Sequence, residues 1–220
     1  MKDLAFHLAA QRNRMLNDHL VARGIYDPAV LAAMMIVPRE EFVAAHLKEF
    51  AYEDYPLPID EGQTISQPYI VAYMTEALEL STGDRVLEIG TGSGYAAAIL
   101  SRIVNTVYTV EHFGSLVQQA VQRFKKLGYE NIHVLEGDGT LGWPDHAPYD
   151  AIVVTAGAPE VPQPLLDQLA IGGRLVIPVG QNPYLQTLVR VRRVSKKDFS
   201  REELCGVRFV PLIGTAGWPH

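Results

Sequence analysis

The residues best suited to chemistry stand at the ends of short apolar runs. After residues 86–89 the chain reads Glu88-Ile89-Gly90-Thr91-Gly92-Ser93-Gly94, an acid followed by three alternating glycines. Glycines at that density let a backbone approach a ligand closely, and a helix beginning at Tyr95 would turn its free N–H groups toward it. Glu111, with His112 beside it, ends the next apolar run about twenty residues on. A carboxylate there can accept two hydrogen bonds from ribose hydroxyls, which a neutral side chain does less well. Asp138 lies between Gly137 and Gly139 after a third run, where it suits an adenine amino group. Thr155-Ala156-Gly157-Ala158 ends a fourth run with small residues that can floor a reaction cleft. Singly, each feature has a plainer reading: a tight turn, a helix-start acid, a turn aspartate. Their succession at consecutive strand ends points to a nucleoside ligand.

The spacing narrows that ligand. A dinucleotide fingerprint requires G-x-G-x-x-G, and Tyr95 occupies its third glycine position. The E-x-G-x-G-x-G order resembles motif I of the S-adenosylmethionine-dependent methyltransferases. That resemblance implies S-adenosyl-L-methionine as cofactor and S-adenosyl-L-homocysteine as product. It takes Glu88, Gly90, Thr91, Gly92, Ser93, Gly94, Glu111, His112, Gly137, Asp138, Gly139 and Thr155 as cofactor-binding residues.

The elements that must position these residues follow from periodicity. Leu4, Leu8, Met15, Leu16, Leu20 and Val21 recur at helical spacing, with Gly24 as a stop. Asp27 and Pro28 restart a helix as N-cap and first residue, and Pro38 ends it. A short helix is expected over residues 40–48 and an ordered loop over 55–68. Another helix is expected over 68–80, with Ser66 or Gln67 near its cap. From residue 81 strands and helices alternate. Strands are predicted at 86–89, 106–110, 132–135, 149–155 and 174–179, and helices at 95–103, 116–127 and 164–169. Two more strands are predicted at 185–194 and 204–210. The alternation predicts an α/β Rossmann-like, doubly wound, mostly parallel seven-stranded methyltransferase sheet with an N-terminal helical extension. One domain is expected: residues 1–80 as helical and substrate-loop region, 81–180 as cofactor core and 181–220 as C-terminal strands.

Bulk properties exclude other classes. The chain has 220 residues, 48% hydrophobic and 20% charged, with formal net charge −6. That acidity argues against a broad nucleic-acid surface. Cys205 is the only cysteine, so neither an intrachain disulfide nor a cysteine zinc cluster is possible. The seven histidines show no metal-ligand spacing, so no metal is expected. Gly92-Ser93-Gly94 is not a nucleophile elbow, because Thr91 stands where that motif needs glycine. No apolar run reaches the roughly 18 residues of a membrane span. A cytoplasmic monomer without membrane or nucleic-acid partners is expected.

The acceptor is indicated by Leu57-Pro58-Ile59-Asp60-Glu61-Gly62-Gln63-Thr64-Ile65-Ser66-Gln67-Pro68-Tyr69. This segment resembles the one preceding the core of the protein-L-isoaspartate O-methyltransferases. Val37-Pro38-Arg39-Glu40-Glu41-Phe42-Val43, Gly142-Trp143 and Val207-Arg208-Phe209-Val210-Pro211-Leu212 agree with it. The family methylates the free carboxylate of isoaspartyl residues in damaged proteins, so isoaspartyl proteins and peptides become the expected partners. The resemblance makes Ser66 the catalytic residue. It sets Gln63, Thr64, Ile65 and Ser66 along the cofactor's methionine end and the substrate carboxylate, and Val210, Pro211 and Leu212 along the peptide cleft. One position departs: the family usually has glycine where Asp60 stands, and a positive φ there would strain the loop. Ser66 then orients the carboxylate, because a carboxyl of pKa ~4 is already ionised near neutral pH and needs no general base. A same-fold methyltransferase acting on a small molecule or RNA, and an adaptor that binds cofactor without catalysis, are the alternative readings.

Overall fold

The computed structural model describes residues 2–182 and 185–218, with side chains described from residue 7. Two helices, α1 (Lys2–Arg14) and α2 (Pro28–Ile36), open the chain. A two-residue ladder follows, β1 (Leu57–Pro58) with β2 (Thr64–Ile65), then α3 (Pro68–Ala77). The alternating core comprises β3 (Arg85–Ile89), α4 (Tyr95–Leu100), β4 (Thr106–Glu111), α5 (Gly114–Leu127) and β5 (Ile132–Glu136). It continues with β6 (Tyr149–Val154), α6 (Gln163–Asp167), β7 (Leu169–Asn182), β8 (Leu185–Arg193) and β9 (Phe199–Val207).

The large sheet of the described residues has seven strands in the order β5-β4-β3-β6-β7-β8-β9. β5 through β7 run parallel, and the β7–β8 and β8–β9 pairs are antiparallel. The chain leaves β3 toward β4 and β5, then returns to place β6 on β3's other side. That reversal opens a crevice beyond the carboxyl ends of β3 and β6, where such sheets bind ligands. Side chains alternate across the pleat. Val86 joins the layer that holds α3 and α4 residues such as Val71, Ala97 and Ala98. Leu87 and Ile89 join the opposite layer with Leu165 of α6.

Several elements depart from their sequence expectation. The first helix changes register: a π-helical stretch over Met15–Leu20 follows α1, then a 3-10 turn over Val21–Arg23 that Gly24 ends at φ 92°. A wider turn brings residues five apart onto one side, and Met15 and Leu20 are both fully buried. Residues 40–48 form no α-helix. Two 3-10 segments, Arg39–Glu41 and Ala45–Phe50, flank a bend there. Asp27 caps α2 as expected, accepting from the N–H groups of Ala29 and Val30 at 2.8 and 3.1 Å. Ser66 does not cap α3; Gln67 holds that position, without a side-chain capping bond. Helix α5 ends on Gly128 at φ 73°, as read from the sequence.

Candidate active site

The glycine turn joins β3 to α4 with Gly90, Gly92 and Gly94 all at positive φ. At Gly90 a Cβ would collide with the Thr155 hydroxyl, whose oxygen donates to the carbonyls of Ile89 and Gly90 at 3.0 and 2.8 Å. At Gly94 a Cβ would lie 2.6 Å from the Phe124 ring. The turn therefore fits tightly between β6 and α5 and leaves its ligand side open.

Glu111 shapes that turn from β4. One carboxylate oxygen accepts from the Gly92 N–H at 2.8 Å and the other from the Phe113 N–H at 3.0 Å. Each oxygen keeps a second lone pair, enough for two ribose hydroxyls. The cleft above is lined by Gly90, Thr91, Gly92, Ser93, Glu111, His112, Gly139 and Thr155 from the core. Gln63, Thr64, Ile65 and Ser66 line it from the loop, and Val210, Pro211 and Leu212 from the C-terminal segment. The sequence thus placed donor-side and acceptor-side residues correctly around one cavity. A glycine cradle that a Cβ would fill, beside a carboxylate with spare acceptor capacity, fits an adenosyl cofactor.

Four sequence-predicted cofactor residues do not line the cleft. Gly94 supports it from below. Gly137 and Asp138 border an adjoining hollow that shares His112 and Ile213 with the cleft. Asp138 is not free for an adenine amino group: Oδ1 accepts from the Thr140 N–H and hydroxyl at 2.9 and 2.6 Å. Its Oδ2 accepts from the Thr215 N–H and hydroxyl at 2.8 and 2.7 Å. Partial burial raises its pKa, but these bonds outweigh that and hold it below the usual carboxylate range. Glu88 points the wrong way. The pleat sends it to the Val86 side of the sheet, where it is fully buried. There it accepts from the Thr109 hydroxyl at 2.6 Å, and Thr109 bonds in turn to Thr91 at 2.6 Å. Its other oxygen has no partner. Burial pushes its pKa up to about 8, against the Thr109 bond and with help from Glu111.

The loop carrying Ser66 is held by a side chain the sequence reading passed over. Arg39 is completely buried and donates from Nε to the Ala51 carbonyl at 2.6 Å and from Nη2 to the Ser66 carbonyl at 2.8 Å. Its guanidinium lies 4.8 Å from the centre of the Tyr95 ring, and Tyr95 lines the cleft. Burial pushes the Tyr95 hydroxyl up to about 12 although Arg39 opposes it. The only hint in the sequence was an arginine directly after Pro38. The positive φ feared at Asp60 falls instead on Glu61 (56°) and Gly62 (65°). Asp60 is exposed and accepts from the Gln119 side chain at 2.7 Å.

Residues 210–212 run beside the end of β6. The Gly157 N–H donates to the Val210 carbonyl and the Leu212 N–H to the Gly157 carbonyl, both at 2.8 Å. Among the described residues no group of acids, histidines or cysteines is arranged to hold a metal. No described helix is long and apolar enough to cross a membrane.

Comparison with known proteins agrees with this geometry. The profile of the protein-L-isoaspartate(D-aspartate) O-methyltransferase family matches residues 10–217. Protein-L-isoaspartate O-methyltransferase 1 of Geotalea uraniireducens is 73% identical over 212 residues, spanning 96% of this chain and 97% of the relative. The corresponding enzyme 2 of Pelobacter propionicus is 70% identical over 94% of this chain and 92% of its own. A solved protein-L-isoaspartate O-methyltransferase superposes with TM-score 0.83 at 32% identity, covering 94% of this chain and 67% of the other. A Plasmodium falciparum beta-aspartate methyltransferase in complex with S-adenosyl-L-homocysteine superposes at TM-score 0.78 and 28% identity, covering 90% and 96%.

Proposed function

The chain belongs to the protein-L-isoaspartate(D-aspartate) O-methyltransferase family, and on that premise we propose that the cleft between the glycine turn and the Ser66 loop is where methyl transfer occurs. The activity is transfer of a methyl group from S-adenosyl-L-methionine to the free carboxylate of L-isoaspartyl residues, the first step of protein repair. The observation that carries the assignment is the shared cavity. Gly90, Gly92 and Glu111 line one wall, and Ser66 with Val210, Pro211 and Leu212 lines another.

When bound, S-adenosyl-L-methionine supplies an electrophilic methyl group that a carboxylate oxygen takes in line, the carbon–sulfur electron pair staying on sulfur, to leave a methyl ester and S-adenosyl-L-homocysteine. Glu111 would hold the ribose, and its bonds to the Gly92 and Phe113 N–H groups fix it for that task. Ser66 would donate its hydroxyl to the incoming carboxylate and orient one oxygen. Arg39 fixes the backbone of Ser66 from behind. Residues 210–212, braced on Gly157, would receive the peptide in extended form. Alignment and exclusion of water then carry the rate, with no proton to remove.

Tritiated methyl transfer to an isoaspartyl peptide, set against its normal aspartyl twin, tests this reading. Incorporation into the first alone supports it, and equal or absent incorporation refutes it. The same reading takes the enzyme to be a cytoplasmic monomer, which sedimentation and fractionation of native extracts check.

A further inference from the structure

Building on the cleft as a cofactor site, we infer that Asp138 anchors the C-terminal segment and that Thr215 is a positioning residue for cofactor binding. A carboxylate offers about four lone-pair sites, and all four at Asp138 face donors from Thr140 and Thr215. Thr140 extends the anchor by accepting from the Ala216 N–H at 3.1 Å. Gly214 lies directly over the carboxylate at φ 151°, and any side chain there would collide with Oδ1. The far end of the segment is fixed too. The Trp218 indole donates to the Gly157 carbonyl at 3.0 Å, and its N–H donates to the Leu212 carbonyl at 2.8 Å.

These attachments make a strap. One end is tied beyond β5 at Asp138 and the other beyond β6 at Gly157. Strands β4 and β3 lie between those two in the sheet, so the strap crosses the crevice where their carboxyl ends open. Leu212 and Ile213, at its start, are part of the cleft wall. Asp138 therefore acts on the cofactor through the strap. An aspartate with no lone pair to spare does not also accept from an adenine amino group. The sequence signal was misread because Thr215 lies 77 residues away.

The experiment is calorimetric titration of S-adenosyl-L-homocysteine into the full chain. Binding by wild type checks the cofactor-site reading separately; its absence would remove that reading and the inference with it. Given binding, Thr215→Val should weaken affinity about five- to tenfold, the scale of one charge-assisted hydrogen bond discounted for exposure. Thr215→Ser should restore it to within about twofold. In an Asp138→Ala background, Thr215→Val should add less than about a twofold loss, because the two act through one contact. At saturating cofactor the turnover number should be retained, which a general loss of folding would not permit. Gly214→Ala, which displaces the strap from the other side, should reproduce the weakening. The inference is overturned if Thr215→Val binds as tightly as wild type or tighter, as a carboxylate released to adenine would require. It is also overturned if Asp138→Ala abolishes the preference for S-adenosylhomocysteine over S-inosylhomocysteine, whose base lacks the amino group.

Discussion

Replacing Glu88 with glutamine should make the protein more stable in alkali, and the size of the effect follows from the site. Below pH about 4.5 the carboxyl is protonated in folded and unfolded chains alike. Above that pH the unfolded chain ionises, while the folded carboxyl keeps its proton until about pH 8. Across this window Glu88 costs the folded state about 1.4 kcal/mol per pH unit. Little of that cost is present at pH 5.5, and it levels off above pH 8. Glutamine keeps the shape and does not titrate. Its own unpaired N–H, facing the position of the orphaned Oε1, imposes a cost that does not vary with pH. The stability difference between variant and wild type should therefore rise by roughly 3 kcal/mol from pH 5.5 to 8.5. Urea unfolding at both pH values, with equal slopes required, measures it. A change below about 1 kcal/mol would mean that Glu88 is ionised in the folded protein, and the burial argument would be wrong.

Other substitutions probe the cleft directly. Ser66→Ala should lower turnover on an isoaspartyl peptide roughly 10- to 100-fold, the loss of one hydrogen bond to a charged group. Calorimetry should show its S-adenosyl-L-homocysteine affinity within about twofold of wild type. Glu111→Gln should weaken that affinity by about 2 kcal/mol, because a neutral amide accepts less strongly and leaves the Gly92 or Phe113 N–H poorly matched. Gly90→Ala should lose cofactor binding and at least about 2 kcal/mol of stability in denaturant titration, since its Cβ meets Thr155 and its φ is 97°. Asp60→Gly removes an exposed bond to Gln119 and one screened charge. It should lower the peptide KM by less than about threefold and leave the turnover number unchanged in steady-state kinetics.

What the sequence disclosed was what is decided locally or by repetition. The parallel strands were legible because burial on both faces forces an apolar run, as in residues 149–154. The glycine turn and Glu111 were legible because they sit side by side at the ends of adjacent strands. Strand β9 was half missed for the opposite reason. It starts at Phe199 and is exposed over Arg201, Glu202 and Glu203, so nothing apolar marks it until Leu204. Its pairing with β8 fixes it instead, including Arg190 Nε on Glu202 at 3.0 Å. Strand β7 was read too short because Gly172 and Gly173 resemble a turn, whereas the chain pairs across a bulge opposite Tyr149.

The two misplaced acids separate two kinds of failure. Glu88 was misread through register: in a strand of period two, a residue two before the turn faces away from Ile89's neighbours, and only the packed layer reveals what covers it. A stricter use of alternation would have found this from the sequence alone. Asp138 was misread through a partner that no local pattern can supply, since Thr215 comes from a segment after the last strand. Arg39 belongs with Asp138, because its bond to Ser66 spans 27 residues. Motifs therefore identify groups that meet the ligand through backbone and strand ends. The groups that hold those motifs in place are distant in sequence, buried or strapped. They carry the same residue types as ligand contacts, so residue type and spacing alone cannot tell an anchor from a ligand.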